Sequence, residues 1–388
     1  MPTSGRFCQK WGLALPSARL SISLSHYNLP VKHRDVIIVG GGIIGLSLAI
    51  ELRKRGASVL VVERGEPGRE ASHAAGGMLV DCLSETAAAL QPLATASARM
   101  YLEFAHELEV ESKIKVDLRD TGTIVFPPAE HTHPIPDFSQ SNPLPTPLAE
   151  LEPALAYTKR PAFYLKERSV DPRALTIAAI QTAKNRGVDF SSGDPVTKTN
   201  AEHGHAIGVT TIKTSFAASK VINCAGAWAG EIAPQPFPTR PVKGQMLCLV
   251  MPSREMIRHV IRSPEVYLIP RSDGRLLVGA TVEEAGFDKR TVPDTIQRLH
   301  RAAIALVPKL AEAKILEDWA GLRPGTPDAL PILGTTETPG YFVATGHFRD
   351  GILLAPITAQ IMANVVAGCA VSFDLEPFNP RRFASKVA

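Results

Sequence analysis

The sequence predicts an α/β protein with two parts: a parallel sheet wound with helices, and a second α+β part built on an antiparallel sheet. Three observations predict it. An apolar run, a glycine-rich turn, a helical stretch and a second apolar run ending in an acid succeed one another between Asp35 and Glu63. Val221 to Cys224 and "GYFVATGHF" are further short apolar runs of the kind that form buried parallel strands. Between them, "GQMLCLV", "EVYLIPR" and "GRLLVGAT" are separated by turn signals, as antiparallel strands are.

Taken in order, Val36 to Val39 is the first strand, and Gly40, Gly42 and Gly45 follow it as G-x-G-x-x-G. Leu46 to Arg55 reads as a helix ended by Gly56, and Val59 to Val62 as the second strand. Glu63 closes that strand, 18 residues after Gly45. This is the strand–turn–helix–strand–acid order of a Rossmann-like dinucleotide site. Gly40 allows a tight turn, Gly42 allows close approach to a pyrophosphate, and Gly45 allows the helix to pack on the strand. The helix start, with Ile43 and Ile44, offers N–H groups and a positive dipole end. Glu63 suits the two hydroxyls of a ribose and disfavours a 2′-phosphate.

The small residues from Ser72 to Met78 suit a backbone running beside a second large cofactor portion. Thr86 to Leu108 reads mostly as helix, with Tyr101, Phe104, Ala105 and Leu108 on one face. Residues 127–147 are rich in Pro and polar groups and read as an exposed loop. Asp171 is a helix cap with Pro172 in the first turn, and Gly187 ends that helix. Ala225, Gly226 and Ala227 form another close-approach turn after a strand, and 294–310 reads as helical. The expected division is 34–85, 166–236 and 316–388 for a discontinuous nucleotide-binding domain, and 86–165 with 237–315 for a substrate domain.

Composition narrows the function. The chain has 388 residues, 45% apolar and 21% charged, in the range of soluble globular proteins. Arg6, Lys10, Arg19, Lys32 and Arg34 precede the first acid, and without them 37 basic residues face 38 acidic ones. A near-neutral body gives no phosphate-tracking surface, so no nucleic-acid partner is expected. Cys8, Cys82, Cys224, Cys248 and Cys369 form no C-x-x-C pair and read as small hydrophobes of a reducing, cytoplasmic protein. His131 and His133 read as solvated loop residues, so no metal site is expected. Residues 1–33 read as a disordered tail or a misassigned start, although they have the composition of a transit peptide. The uncharged run 351–371 contains Pro356, Gln360 and Asn364, and reads as a buried helix and not as a membrane span.

From Asp35 onward the motifs "VIIVGGGIIG", "VVERG", "ASHAAGGML", "CAGAWAG", "RPVKGQML", "YLIPRSDGRLLVGAT", "WAGLRPGTPDALPILG" and "GHFRDGILLAP" occur in that order. In this the chain resembles the D-amino-acid-oxidase-like FAD-dependent oxidoreductase family, and within it the glycine oxidases of bacterial thiamine biosynthesis. The resemblance implies FAD across the nucleotide domain, with its ring facing the second sheet, and oxidation of the Cα–N bond of a small amino acid. Arg349 matches the arginine that clamps the substrate carboxylate, Tyr267 a tyrosine bonded to it, and Arg323 a second active-site arginine. The resemblance further implies contacts to FAD from Glu63, Arg64, Ser72, Ala74, Ala75, Gly76, Met78, Val196, Ala225, Gly226, Trp228 and His347. Gly351, Ile352 and Leu353 match a helix start whose N–H groups face the flavin.

The residue types suit that chemistry. Hydride transfer from Cα to flavin N5 leaves the hard step to the cofactor. An arginine fork fixes a carboxylate with two parallel bonds and so sets Cα over the ring. The implied products are the imine or 2-oxo acid, ammonia and, with O2 as acceptor, H2O2. Small-amine specificity, and assembly as a homotetramer, rest on the resemblance alone. Two residues depart from the glycine-oxidase pattern. Glu265 stands two positions before Tyr267 and either alters amine preference or points away. His73, in "SHAAG", is where related dehydrogenases attach flavin covalently, although noncovalent FAD is the expectation here. The rival readings are a dehydrogenase that passes electrons to a carrier, a flavoprotein of tRNA modification, and a nucleotide-binding protein without catalysis.

Overall fold

The computed structural model describes residues 33–81, 86–127, 144–155 and 157–386. Residues 1–32 of the expected tail 1–33, His131, His133, Cys8, Cys82 and most of the 127–147 loop lie outside them.

The apolar residues that end β1 (Arg34–Val39) are buried on both faces. Val36 and Ile38 enter one core and Ile37 and Val39 another, which is why the run is apolar without alternation. β2 (Val59–Glu63), β7 (Asp189–Ser192), β10 (Ser215–Asn223), β16 (Ile332–Thr335) and β17 (Tyr341–Thr345) join it in the order β16–β17–β10–β1–β2–β7. All pairs are parallel except the β16 edge. The antiparallel strands β8 (Val196–Glu202) and β9 (His205–Thr211) extend β10 and help cover one face.

Helices cover the other face: α1 (Ile43–Lys54), α3 (Gln91–Ser112), α5 (Pro172–Asn185) and α7 (Ala355–Ala367) share its core. The side chain of Asp171 caps α5, accepting from the N–H groups of Arg173 at 2.9 Å and Ala174 at 3.4 Å. One helix departs from the expected division. The long helix α3 falls within 86–165, yet Leu93, Tyr101, Ala105 and Leu108 pack in the first core. Its Tyr101 hydroxyl donates to the Ile352 carbonyl at 3.0 Å, and Ser97 Oγ to the Leu353 carbonyl at 2.6 Å. In addition, Gly351–Leu354 is a turn, and the helix proper begins at Ala355 with Pro356 in its first turn.

The second sheet consists of β4 (Thr123–Val125), β5 (Phe163–Leu165), β11 (Arg240–Val250), β12 (Val260–Arg262), β13 (Tyr267–Pro270), β14 (Arg275–Gly279) and β15 (Lys314–Gly325). Their order is β15–β11–β14–β13–β12–β4–β5, antiparallel apart from β12–β4. Leu247, Leu249, Leu268 and Val278 pack under α6 (Pro293–Leu306), with Leu148 and Leu151 of α4 (Leu148–Leu151) at the margin. Met246, Cys248, Ile269 and Leu277 face the opposite way, towards Met78 and Trp319. β15 corrects the expected range 316–388: from Arg240 opposite Gly325 to Val250 opposite Lys314, β11 pairs with it throughout, so the chain returns to the first sheet only at β16. Between the sheets run α2 (Ala71–Ala74), β3 (Met78–Leu79) and its partner β6 (Arg168–Ser169).

Candidate active site

The carboxyl ends of β1, β2, β10 and β17 open into one cavity of about 680 Å³, the crevice in which open parallel sheets hold nucleotides. Its lining begins with the glycine turn. Gly40 has φ +108°, and a Cβ there would strike the Cys224 carbonyl. Gly42 caps α1 and lines the cavity with Ile43 and Ile44, while Ile43 N–H donates to Ser72 Oγ at 3.0 Å. Gly45 does not line it: a Cβ there would strike the Gly40 carbonyl and lie 3.1 Å from Ile38 Cγ2, so Gly45 serves helix–strand packing.

Glu63 is buried at the next strand end. Its Oε2 accepts from Gly41 N–H at 2.7 Å and its Oε1 from Gly65 N–H at 2.9 Å. Both oxygens keep acceptor capacity for a ribose diol. At the same end the Arg64 guanidinium lies 4.3 Å from the Trp228 ring centre, and Phe287 stacks on Trp228 at 5.2 Å. Ser72, Ala74, Ala75, Gly76, Met78, Val196, Ala225, Gly226, His347, Gly351 and Ile352 also line the cavity. Leu353 is buried outside it. His347 shares a hydrogen bond with Thr358 at 3.1 Å, and burial pushes its pKa down to about 3, leaving it neutral.

The second sheet closes the other end with Tyr267 and Arg323, and Arg349 joins them from the turn that follows β17 of the first sheet. Arg323 donates from Nη1 to the Thr281 carbonyl at 3.1 Å and lies over Gly244, where a Cβ would collide with it. Tyr267 lies on Gly279, where a Cβ would come within 2.8 Å of the ring. Burial raises the Tyr267 pKa against the opposing pull of Arg323 and Arg349. Burial lowers that of Arg323, with Tyr267 the largest opposing influence. Asp328, a rival partner for Arg323, instead accepts from Arg382 at 2.8 Å. Phe348 takes φ +47° and donates its N–H to the Pro324 carbonyl at 3.0 Å. That strained residue brings exposed Arg349 beside the Arg323 strand.

His73 and Glu265 fall outside the site. Ser72 and Ala74 line the cavity but His73 does not; Arg173, Arg69 and Glu317 are its charged neighbours, and burial leads in lowering its pKa. The covalent link through His73 therefore finds no support in this placement. Glu265 is exposed and pairs with Arg160 at 3.5 Å, so it points away. The sequence reading missed Gly244, Gly279, Met246 and Phe287. The glycines in "KGQ" and "VGA" are the signal that could have found the first two.

A cradle of glycines, an acid at the second strand end and a long cavity reaching a cationic sheet surface suit FAD: Gly40, Gly42 and Ile43 for its diphosphate, Glu63 for its ribose, and Ala74–Met78 and Gly351–Ile352 for its ring. These features define a two-sheet dinucleotide-dependent oxidoreductase. The chain belongs to the FAD dependent oxidoreductase (DAO) family, whose model matches residues 35–365, and FAD is its cofactor. It is 35% identical over 368 residues to the bifunctional protein ThiO/ThiG of Trichormus variabilis, covering 92% of this chain and 56% of that protein. The chain thus spans about half the length of that relative and of two similar ones, at 52% and 54%. Glycine oxidase of Geobacillus kaustophilus is 33% identical over 381 residues, covering 92% of this chain and 99% of that one. The crystal structure of glycine oxidase from Geobacillus kaustophilus superposes with a TM-score of 0.83 at 31% identity, over 90% of this chain and 99% of that chain.

Proposed function

We propose that the chain oxidises the Cα–N bond of a small amino acid, glycine before sarcosine or small D-amino acids. The products are the imine, hydrolysed to 2-oxo acid and ammonia, with O2 reduced to H2O2. The observation that carries the reading is the meeting of Tyr267, Arg323 and Arg349 in the cavity that also holds the nucleotide cradle. The likeness to glycine oxidases and to ThiO/ThiG proteins supports it, and on this reading the reaction serves thiamine thiazole biosynthesis. A cytoplasmic homo-oligomer is part of the same reading. No helix among the described residues is long and apolar enough to cross a membrane.

Bound FAD supplies the two-electron acceptor for the Cα hydride. Arg323, anchored on Thr281, and Arg349, brought in by Phe348, grip the substrate carboxylate as planar forks. Tyr267 donates its hydroxyl proton to the same carboxylate, and the ammonium proton leaves to solvent. Held at one end, the small substrate keeps Cα in a single orientation, which lowers the entropic part of the barrier. The buried, neutral His347 adds no competing charge.

The test is anaerobic mixing of the FAD-loaded protein with glycine, sarcosine and D-alanine, then admission of O2. Bleaching with glycine followed by peroxide release is the expected result. Bleaching without peroxide favours the dehydrogenase reading, and no bleaching with any amine sinks the proposal.

A further inference from the structure

Arg271, directly after β13, is among the largest fully buried side chains, at 1% exposure. Nη2 donates to the Gly76 carbonyl at 2.6 Å, while Nε and Nη1 are buried without a hydrogen-bond partner. A buried guanidinium that leaves donors unmade is a costly way to fill space, and an apolar side chain of similar volume often stabilises as well or better. Stability therefore does not explain it, and its single strong bond points to the cavity wall.

Ala74, Ala75, Gly76 and Gly77 all line the cavity. Three of their carbonyls are held by groups that do not line it: Ala74 by Trp319 Nε1 at 3.1 Å, Gly76 by Arg271, and Gly77 by Val170 N–H at 2.9 Å. In a trans peptide the N–H points opposite to the carbonyl before it. The N–H groups of Ala75 and Gly77 thereby point away from Trp319 and Arg271. A side chain on Gly76 would lie 2.7 Å from Ile269 Cδ1, so the wall has no freedom to shift towards the sheet.

We propose that Arg271 is a positioning residue of the flavin site: it turns the Gly76 carbonyl away from the cavity and sets a positive charge behind the ring-facing wall. Asp171 is the strongest charge opposing the effect of burial, and the guanidinium, pushed down to about 10, remains cationic at neutral pH. A cation behind a ring that gains negative charge on reduction stabilises its reduced state. The proposal rests on FAD in this cavity and not on which amine is oxidised.

The test is the two-electron reduction potential of bound FAD, measured by photoreduction against a reference dye without substrate. In R271M the reduced state loses roughly tenfold in relative stability, a fall of about 30 mV for a two-electron couple. R271K, which keeps the charge, recovers at least half of that shift. Should R271M not fold, R271Q carries the same comparison. A potential in the neutral variant equal to that of the parent, whatever happens to its melting temperature, overturns the proposal. So does R271K shifted as far as R271M. A parent protein that photoreduces normally but is bleached by no amine removes the amine-oxidase reading and leaves this one standing.

Discussion

At the scale of single residues, the proposed function depends on cations placed by backbone devices. Arg349 owes its position to Phe348 in the left-handed region and to the Phe348–Pro324 hydrogen bond. Arg349→Ala is expected to keep FAD and its melting temperature, because the side chain is exposed. It should lose roughly 100-fold or more in kcat/KM, in line with the 2–5 kcal/mol that follows removal of one partner of a hydrogen-bonded charge pair. Turnover within a few-fold of the parent would show that Arg323 and Tyr267 suffice as the clamp. Residues whose roles are local were legible in the sequence: Gly40, Gly42, Gly45 and Glu63 declare themselves by spacing. Arg271 was not, since its partners Gly76 and Asp171 are remote in sequence and only the fold brings them together. The place of His73 was hidden for the same reason: it sits in a four-residue helix and does not line the cavity, although Ser72 and Ala74 do.

Elements follow the same rule. The start of α5 was readable because Asp171 accepts from N–H groups two and three positions away and Pro172 fits the first turn. β15 was not assigned to its sheet, because membership is decided by pairing with β11, and no local pattern reports the partner. Helix α3 showed its apolar face correctly, but which core that face would meet was again a question of topology. The cap supports a prediction at this scale. Asp171 also accepts from Arg275 Nη2 at 2.7 Å, and its carboxylate is held below its ordinary range, the Arg271 charge leading the causes that outweigh burial. In urea unfolding of the FAD-free protein, Asp171→Ala should cost roughly 3 kcal/mol, from the lost cap and from two cations left without their carboxylate. Asp171→Asn retains a capping oxygen and should recover about 1 kcal/mol. Equal losses in the two variants would mean that the cap contributes nothing there.

On the scale of the whole molecule, the cavity lies where strand ends of one sheet meet a face of the other, so folding itself desolvates the groups that line it. His347 is the clearest case: it ends the strand run of β17, bonds to Thr358 of α7 and lines the cavity, with its folded pKa at about 3. An unfolded chain binds a proton on that imidazole below about pH 6.5, whereas the folded chain does not. Stability from this group is therefore complete above pH 6.5 and is lost progressively as pH falls towards 3. Between pH 6.5 and 4.5 the loss should reach about 2–3 kcal/mol. His73, also lowered by burial, acts in the same direction. Asp171, whose carboxylate is lowered, loses its contribution only below its ordinary range near pH 3.8. Comparing the FAD-free parent with His347→Gln isolates the one imidazole, because His73 and the carboxylates are common to both. The variant's urea stability should fall less steeply over this window, by about that amount. Parallel curves would place a protonated His347 comfortably inside the fold, and the neutral histidine would then have no part in keeping charge out of the cavity.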